Sequence, residues 1–302
     1  MTLGLLLALS AAAPLRAAAL SSAAPAVSAS TQPAGADAME ALLKQGGGEL
    51  ESEFRVAVPQ SELRVTLDGF PLVPAMGLTS WIAFSPGGGA ALALGELVLL
   101  EDEAGPVQRA ALAAGFTVTG LHNHFLREKP KVVFMQVSAH GALDALTDGA
   151  RKLFAAVSEA RQGKGLQSGP TTAPGALDAQ ALQKIIGGRP VVADGVVKFV
   201  VPRPDVALKQ AGRPVSSGLG FHSWLAFEGT MEKAAVSGEL AVLAGEAEGV
   251  ERALAAGGVD ASALHNHLIG ESPAVYFLHA WGVGRAEDLA RALKAALRKT
   301  GP

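Results

Sequence analysis

The sequence predicts an α+β fold of two tandem homologous domains, each a mainly antiparallel sheet with helices packed on one side. Three observations predict it. The chain repeats itself: at an offset of 143, His265 aligns with His122, Trp224 with Trp81, Pro202 with Pro59, Gly212 with Gly69, Gly238-Glu239-Leu240 with Gly95-Glu96-Leu97, Glu271 with Glu128 and Pro273 with Pro130. No gap is needed from Pro59 to Gly141, and about a third of these positions are identical, a register too long for chance. Short strand-like runs outnumber helical ones and are joined by short turns, which favours antiparallel pairing over a parallel layout. Each copy also ends in an amphipathic segment; in the second, Leu289, Leu293 and Leu297 share one helical face with Arg291, Lys294 and Arg298 off it.

The elements follow in order. Residues 1–30 hold the apolar run LGLLLALSAAA and small-residue stretches, the length of a signal peptide followed by an arm. Copy one covers residues 39–160, a Gly/Pro/Ser/Thr-rich linker covers 161–176, and copy two covers 177–302. Each copy opens with a helix, AMEALLKQ or DAQALQKII. Two short strands come next, EFRVAVP and ELRVTLDG, matched by VVKFVVP and DVALKQAG. A strand with Ser-Trp-x-Ala-Phe and a strand with Gly-Glu-Leu follow, then a helix closed by Gly115 or by Gly257-Gly258. The His-Asn-His strand, a further strand (KVVFMQVSA or AVYFLHAWG) and the terminal helix complete each copy. The copies can form one pseudo-twofold unit or two beads, and the pattern is compatible with both.

Composition narrows the function. A net charge of −3 without a Lys/Arg run argues against nucleic acid and anionic membranes as partners. The chain has no cysteine, which excludes disulfides, thiolate metal sites, a cysteine nucleophile and a lipid anchor on cysteine. Beyond the first thirty residues nothing reaches membrane-spanning length, so the mature chain is expected to lack a transmembrane helix.

Chemistry concentrates on the repeated tripeptide. Strand alternation puts His122 and His124, and likewise His265 and His267, on one face about two residue rises apart, a spacing that lets two imidazoles share a metal. Leu121 and Phe125, and Leu264 and Leu268, are then expected on the opposite face, towards the helices. Glu128 and Glu271 complete His-x-His-x3-Glu twice, as third ligand or general base. His279 returns on the next strand and His222 precedes Ser223-Trp224, so copy two holds the fuller set; copy one has Gln136 and Thr79 at those positions. Imidazole and carboxylate ligands suit Zn, Mn, Fe, Ni or Cu. Glu96 and Glu239, acidic residues in apolar strands, need partners if buried and are read as carboxylates orienting the histidines or as edge residues. A hydrogen-bonded structural network would preserve the same residues.

The strings MGLTSWIAF, GELVLLEDE, GLHNHFLREKPKVVFM and LHNHLIGESPAVYFLHAWGVG resemble the LppY/LpqO family of bacterial envelope proteins, across both copies. The resemblance implies an exported protein, periplasmic or extracellular, of unknown activity. Three functions are compatible with the motif: a metal-dependent envelope enzyme acting on a small molecule, a non-catalytic exported binder of a metal or small ligand, and a structural envelope module.

Overall fold

The computed structural model describes residues 53–87, 90–162, 164 and 176–301. The expected signal peptide, the AMEALLKQ helix, Gly88-Gly89 and most of the linker lie outside these residues. No helix among the described residues is long and apolar enough to cross a membrane.

Copy one comprises β1 (Phe54–Pro59), β2 (Val65–Leu67), β3 (Phe70–Leu72), β4 (Thr79–Ser85), β5 (Ala91–Leu100), α1 (Ala104–Ala113), β6 (Thr117–His122), β7 (Val132–Gly141) and α2 (Leu143–Arg161). Copy two comprises α3 (Ala179–Ile186), β8 (Val191–Ala193), β9 (Val196–Pro202), β10 (Lys209–Gln210), β11 (Arg213–Pro214), β12 (His222–Gly229), β13 (Ala234–Leu243), α4 (Ala247–Ala256), β14 (Asp260–His265), β15 (Val275–Gly284) and α5 (Ala286–Leu297). The offset of 143 carries β5, β6, β7 and α1 onto β13, β14, β15 and α4 with the same first and last residues.

Each copy is an antiparallel sheet, ordered β1-β4-β5-β7-β6 in copy one and β14-β15-β13-β12-β9-β8 in copy two. The short edge strand β8 was not among the expected elements. One face of each sheet carries the helices. Ala93, Leu97 and Leu99 of β5 pack with Val107 of α1 and Leu153 of α2; Val236, Leu240 and Val242 of β13 pack with Leu182 of α3, Leu254 of α4 and Leu293 of α5. Asp178 caps α3 by accepting hydrogen bonds from the backbone of Gln180 and Ala181.

The other faces decide the arrangement of the copies. The hairpin of β2 and β3 puts Leu63, Val65, Leu67 and Leu72 into one core with Trp224, Ala226, Ala235 and Trp281 of copy two. In return, Leu208, Val215, Leu219 and Phe221 of copy two share a core with Ala83, Leu92 and Leu94 of copy one. Each copy's hairpin region covers the other copy's sheet, and both copies fall in one compact unit rather than two beads.

Two local expectations are corrected. The His-Asn-His strands end at their first histidine, His122 or His265; the asparagine then turns the chain, Asn123 and Asn266 each donating to the carbonyl two residues on at 2.8 Å. The flanking apolar residues do not face the helices together. Leu121 and Leu264 are 46 % and 48 % exposed, while Phe125 and Leu268 are buried in the cores shared between the copies. The turn moves the second half of each motif off the sheet and into the other copy.

Candidate metal centre

The centre is assembled from two cross-strand ladders and two turns. In copy one, Trp81 pairs with Glu96 and Glu96 with Gln136, across β4, β5 and β7. In copy two, Trp224 pairs with Glu239 and Glu239 with His279, across β12, β13 and β15. Because alternate residues of these strands are taken up by the helices, each ladder stands on the face shared with the other copy. The turns after β6 and β14 are clasped reciprocally: Thr119 Oγ1 donates to the carbonyl of His267 and Ser262 Oγ to that of His124, both at 2.6 Å. Thr119 and Ser262 are themselves offset partners, so the clasp has the symmetry of the repeat.

This brings five imidazoles together. His122 and His265 stack with ring centroids 3.5 Å apart. His124 lies on Phe134 at 3.4 Å and His267 on Phe277 at 3.5 Å, while His279 stacks on His124 at 3.6 Å. His124 and His279 are buried, as are Glu96 and Glu239; His122 and His265 are half-buried.

Outside the hydrogen bond that joins His122 Nε2 to His124 Nε2, the imidazole Nε2 atoms converge without satisfying one another. Nε2 of His265, His267 and His279 makes no hydrogen bond, although all three atoms are buried. The Nε2 of His279 sits 3.1 Å from Glu239 Oε2, close enough for an ion pair but out of line for a hydrogen bond. His267 Nε2 is 3.6 Å from the same oxygen, His124 Nε2 is 3.6 Å from Glu96 Oε2, and His122 and His124 Nε2 are 3.2 Å apart. Two donors on a tetrahedral ion with bonds of about 2.1 Å are about 3.4 Å apart. Four overlapping groups meet this kind of spacing, their ligand atoms within 4.8 Å of one another: His122-His124-His265, His265-His267-His279, His124-Glu239-His279 and Glu96-Glu239-His267.

Protonation suits a cation. Burial, with the neighbouring imidazoles, pushes His122 down to about 2 and His265 to about 3; burial alone takes His279 to about 3. His124 and His267 are held far below the usual imidazole range by the same causes. Burial, and for Glu96 the proximity of Glu239, pushes both carboxyls up to about 8. The set is five neutral imidazoles and two carboxyls that release protons when a cation replaces them.

The sequence candidates divide. His122, His124, His265, His267 and His279 meet. His222 stays outside these groups, its Nδ1 3.0 Å from the Ser217 carbonyl. Glu128 and Glu271 do not reach the imidazoles: each receives the backbone N–H at the start of the next strand, Val132 at 3.4 Å and Val275 at 3.3 Å. The carboxylates at the centre are Glu96 and Glu239, placed by the ladder rather than by nearness in sequence. The signal for them is the repeated Gly-Glu-Leu inside an otherwise apolar strand.

The sequence model of a family described as Domain of Unknown Function (DUF1259) matches this chain twice, at residues 37–156 and 180–299. No protein with a curated description matches. Among solved structures, a trimeric bacterial microcompartment shell protein, PduB, is 13 % identical with a TM-score of 0.19, over 84 % of this chain and 89 % of that one. EtuB from Clostridium kluyveri is 11 % identical with a TM-score of 0.19, over 84 % and 89 %.

Proposed function

The chain belongs to the family described as Domain of Unknown Function (DUF1259), and from that premise we propose that it binds a divalent transition metal at the junction of its two copies. His265, His267 and His279 are the primary ligands, with Glu239 beside His267 and His279; His122, His124 and Glu96 complete the surroundings. The observation that carries this reading is a set of three buried Nε2 atoms lacking hydrogen bonds, those of His265, His267 and His279, in one ligand group, the last two also lying against the Glu239 carboxylate. Unpaired buried polar atoms are costly, and an ion turns that cost into bonds. The donor set, nitrogen and oxygen without sulfur, fits Zn, Mn, Fe, Ni or Cu.

Catalysis is the narrower form of this reading. The half-buried His122–His265 stack leaves the centre short of complete burial, as a metal that meets a small molecule requires. The burial of His124, His279, Glu96 and Glu239 instead favours a binder that retains its ion without turnover. Export to the cell envelope, in keeping with the resemblance to LppY/LpqO proteins, is supported by the apolar stretch at the N-terminus. Metal analysis of purified protein tests the core of the reading. The wild type should carry at least one ion per chain, and the His265→Ala/His267→Ala variant should lose most of it while keeping its circular dichroism. Equal and negligible metal in both would sink it.

A further inference from the structure

The two halves of the centre have diverged, and the difference is local. In copy two, His279 stacks on His124 and closes against Glu239. Its offset partner in copy one is Gln136, which turns its amide onto Glu96, Nε2 to Oε2 at 2.5 Å. A cavity of about 20 Å³ lies on that side, lined among others by Gln136, His267, Trp81, Leu94 and Gly220. One water needs roughly 10–15 Å³ by this measure, so the space takes one donor atom of a small molecule. His267, whose Nε2 is buried and without a hydrogen bond, belongs both to this lining and to the ligand groups. Trp81 forms the outer wall, pressed against Gly220, where an added Cβ would meet its ring at 2.6 Å. Above Trp81 stands the guanidinium of Arg55, 3.9 Å from the ring centroid and within electrostatic reach of Glu96 and Glu239.

We propose that the Gln136 side of the centre is an open coordination position for a small anion, entering past Arg55 and Trp81 and bonding the metal beside His267. The inference rests on the metal reading above and adds to it which side is open and what class of ligand fits. His279 and its contacts close the copy-two side; the substitution to glutamine, with its amide engaged by Glu96, leaves the copy-one side free. The cation over the tryptophan favours a negative charge, and the narrow space excludes rings.

Cobalt(II) loaded into the full chain gives the test, because its visible absorption reports coordination. Azide, a narrow linear anion, should shift the spectrum of the wild type, and imidazole at the same concentration should not. Gln136→His should take up cobalt and lose at least nine-tenths of the azide response, since histidine fills the side as it does in copy two. An absent azide response in cobalt-loaded wild type, an equal response to imidazole, or a response kept in Gln136→His would each overturn the inference and leave the metal reading standing. Failure of the wild type to bind cobalt, zinc or manganese would overturn the metal reading and this inference together. If Gln136→His does not fold, the azide and imidazole comparison in the wild type decides.

Discussion

Single residues were legible where a motif repeats and illegible where a strand neighbour decides. His-Asn-His and its return partner His279 could be read from spacing, and they meet. Glu128 and Glu271 are four residues from a histidine, yet the turn spends them on the backbone of the next strand. Glu96 and Glu239 lie 26 residues before His122 and His265, and cross-strand register alone brings them in. Another buried acid yields a pH prediction away from the centre. Glu228 is 5 % exposed, its Oε2 lacks a hydrogen bond, and burial pushes its pKa from 4.5 up to about 7. The folded state therefore holds this proton while the unfolded chain releases it from about pH 4.5 upward. Its contribution to stability falls as pH rises from 4.5 to about 7 and stays low above that. Glu228→Gln should melt higher than the wild type at pH 8, with the advantage shrinking towards pH 4.5. An advantage independent of pH would show that packing, not ionisation, governs the site.

At the scale of elements, the two copies solve one problem with different parts of the chain. Behind β13, Arg203 follows the end of β9; it donates to the carbonyl of Ala241 at 2.6 Å and pairs with Glu246 and Asp205 at 2.9 Å. The offset partner of Arg203 is Gln60, which has no charge to offer. Arg161, the last residue of α2, comes in instead: it donates to the carbonyl of Val98 at 2.6 Å, pairs with Glu103 at 3.1 Å and also contacts Gln60 and Glu62. Val98, Glu103 and Glu62 are the offset partners of Ala241, Glu246 and Asp205. The network survives although its arginine has moved from a strand end to a helix end. Removing one partner of a buried pair leaves an uncompensated charge, so Arg203→Ala should cost about 3–5 kcal/mol in denaturant unfolding. Arg161→Gln should cost about 3 kcal/mol, the lower end because Lys164 remains 3.3 Å from Glu103. Adding Gln60→Arg to Arg161→Gln should restore at least half of that loss, by rebuilding the copy-two arrangement in copy one. No recovery in the double variant would mean that the two networks are not equivalent.

At the scale of the whole molecule, the relation between the copies was the part the sequence left open. The deciding signal was present in β5 and β13, ALALGELVLL and AAVSGELAVL, where nine of ten residues are buried. A sheet with one face in water alternates apolar and polar residues; a strand apolar throughout needs a cover on both faces. The helices cover one face, and among the described residues the other copy covers the second. Separation of the copies should therefore expose more than a surface. It strips the hairpin residues Leu63, Val65 and Leu67 from Trp224 and Trp281, and Leu208 and Phe221 from Leu92 and Leu94. It also breaks the reciprocal clasp of Thr119 and Ser262 and the bond from Trp281 Nε1 to Asp68 Oδ2 at 3.0 Å. At about 1.5–3 kcal/mol for each large apolar side chain returned to water, the loss exceeds the stability of an ordinary domain. Neither residues 53–162 nor residues 176–301, expressed alone, should give a cooperative melting transition, and neither should bind metal. Co-expressed, the two fragments should purify as a one-to-one complex that melts cooperatively and recovers metal uptake, because each fragment supplies the other's missing layer and half of the ligands. A fragment of copy two that folds and binds metal by itself would show that His265, His267, His279 and Glu239 suffice, and that the contribution of His122, His124 and Glu96 is dispensable.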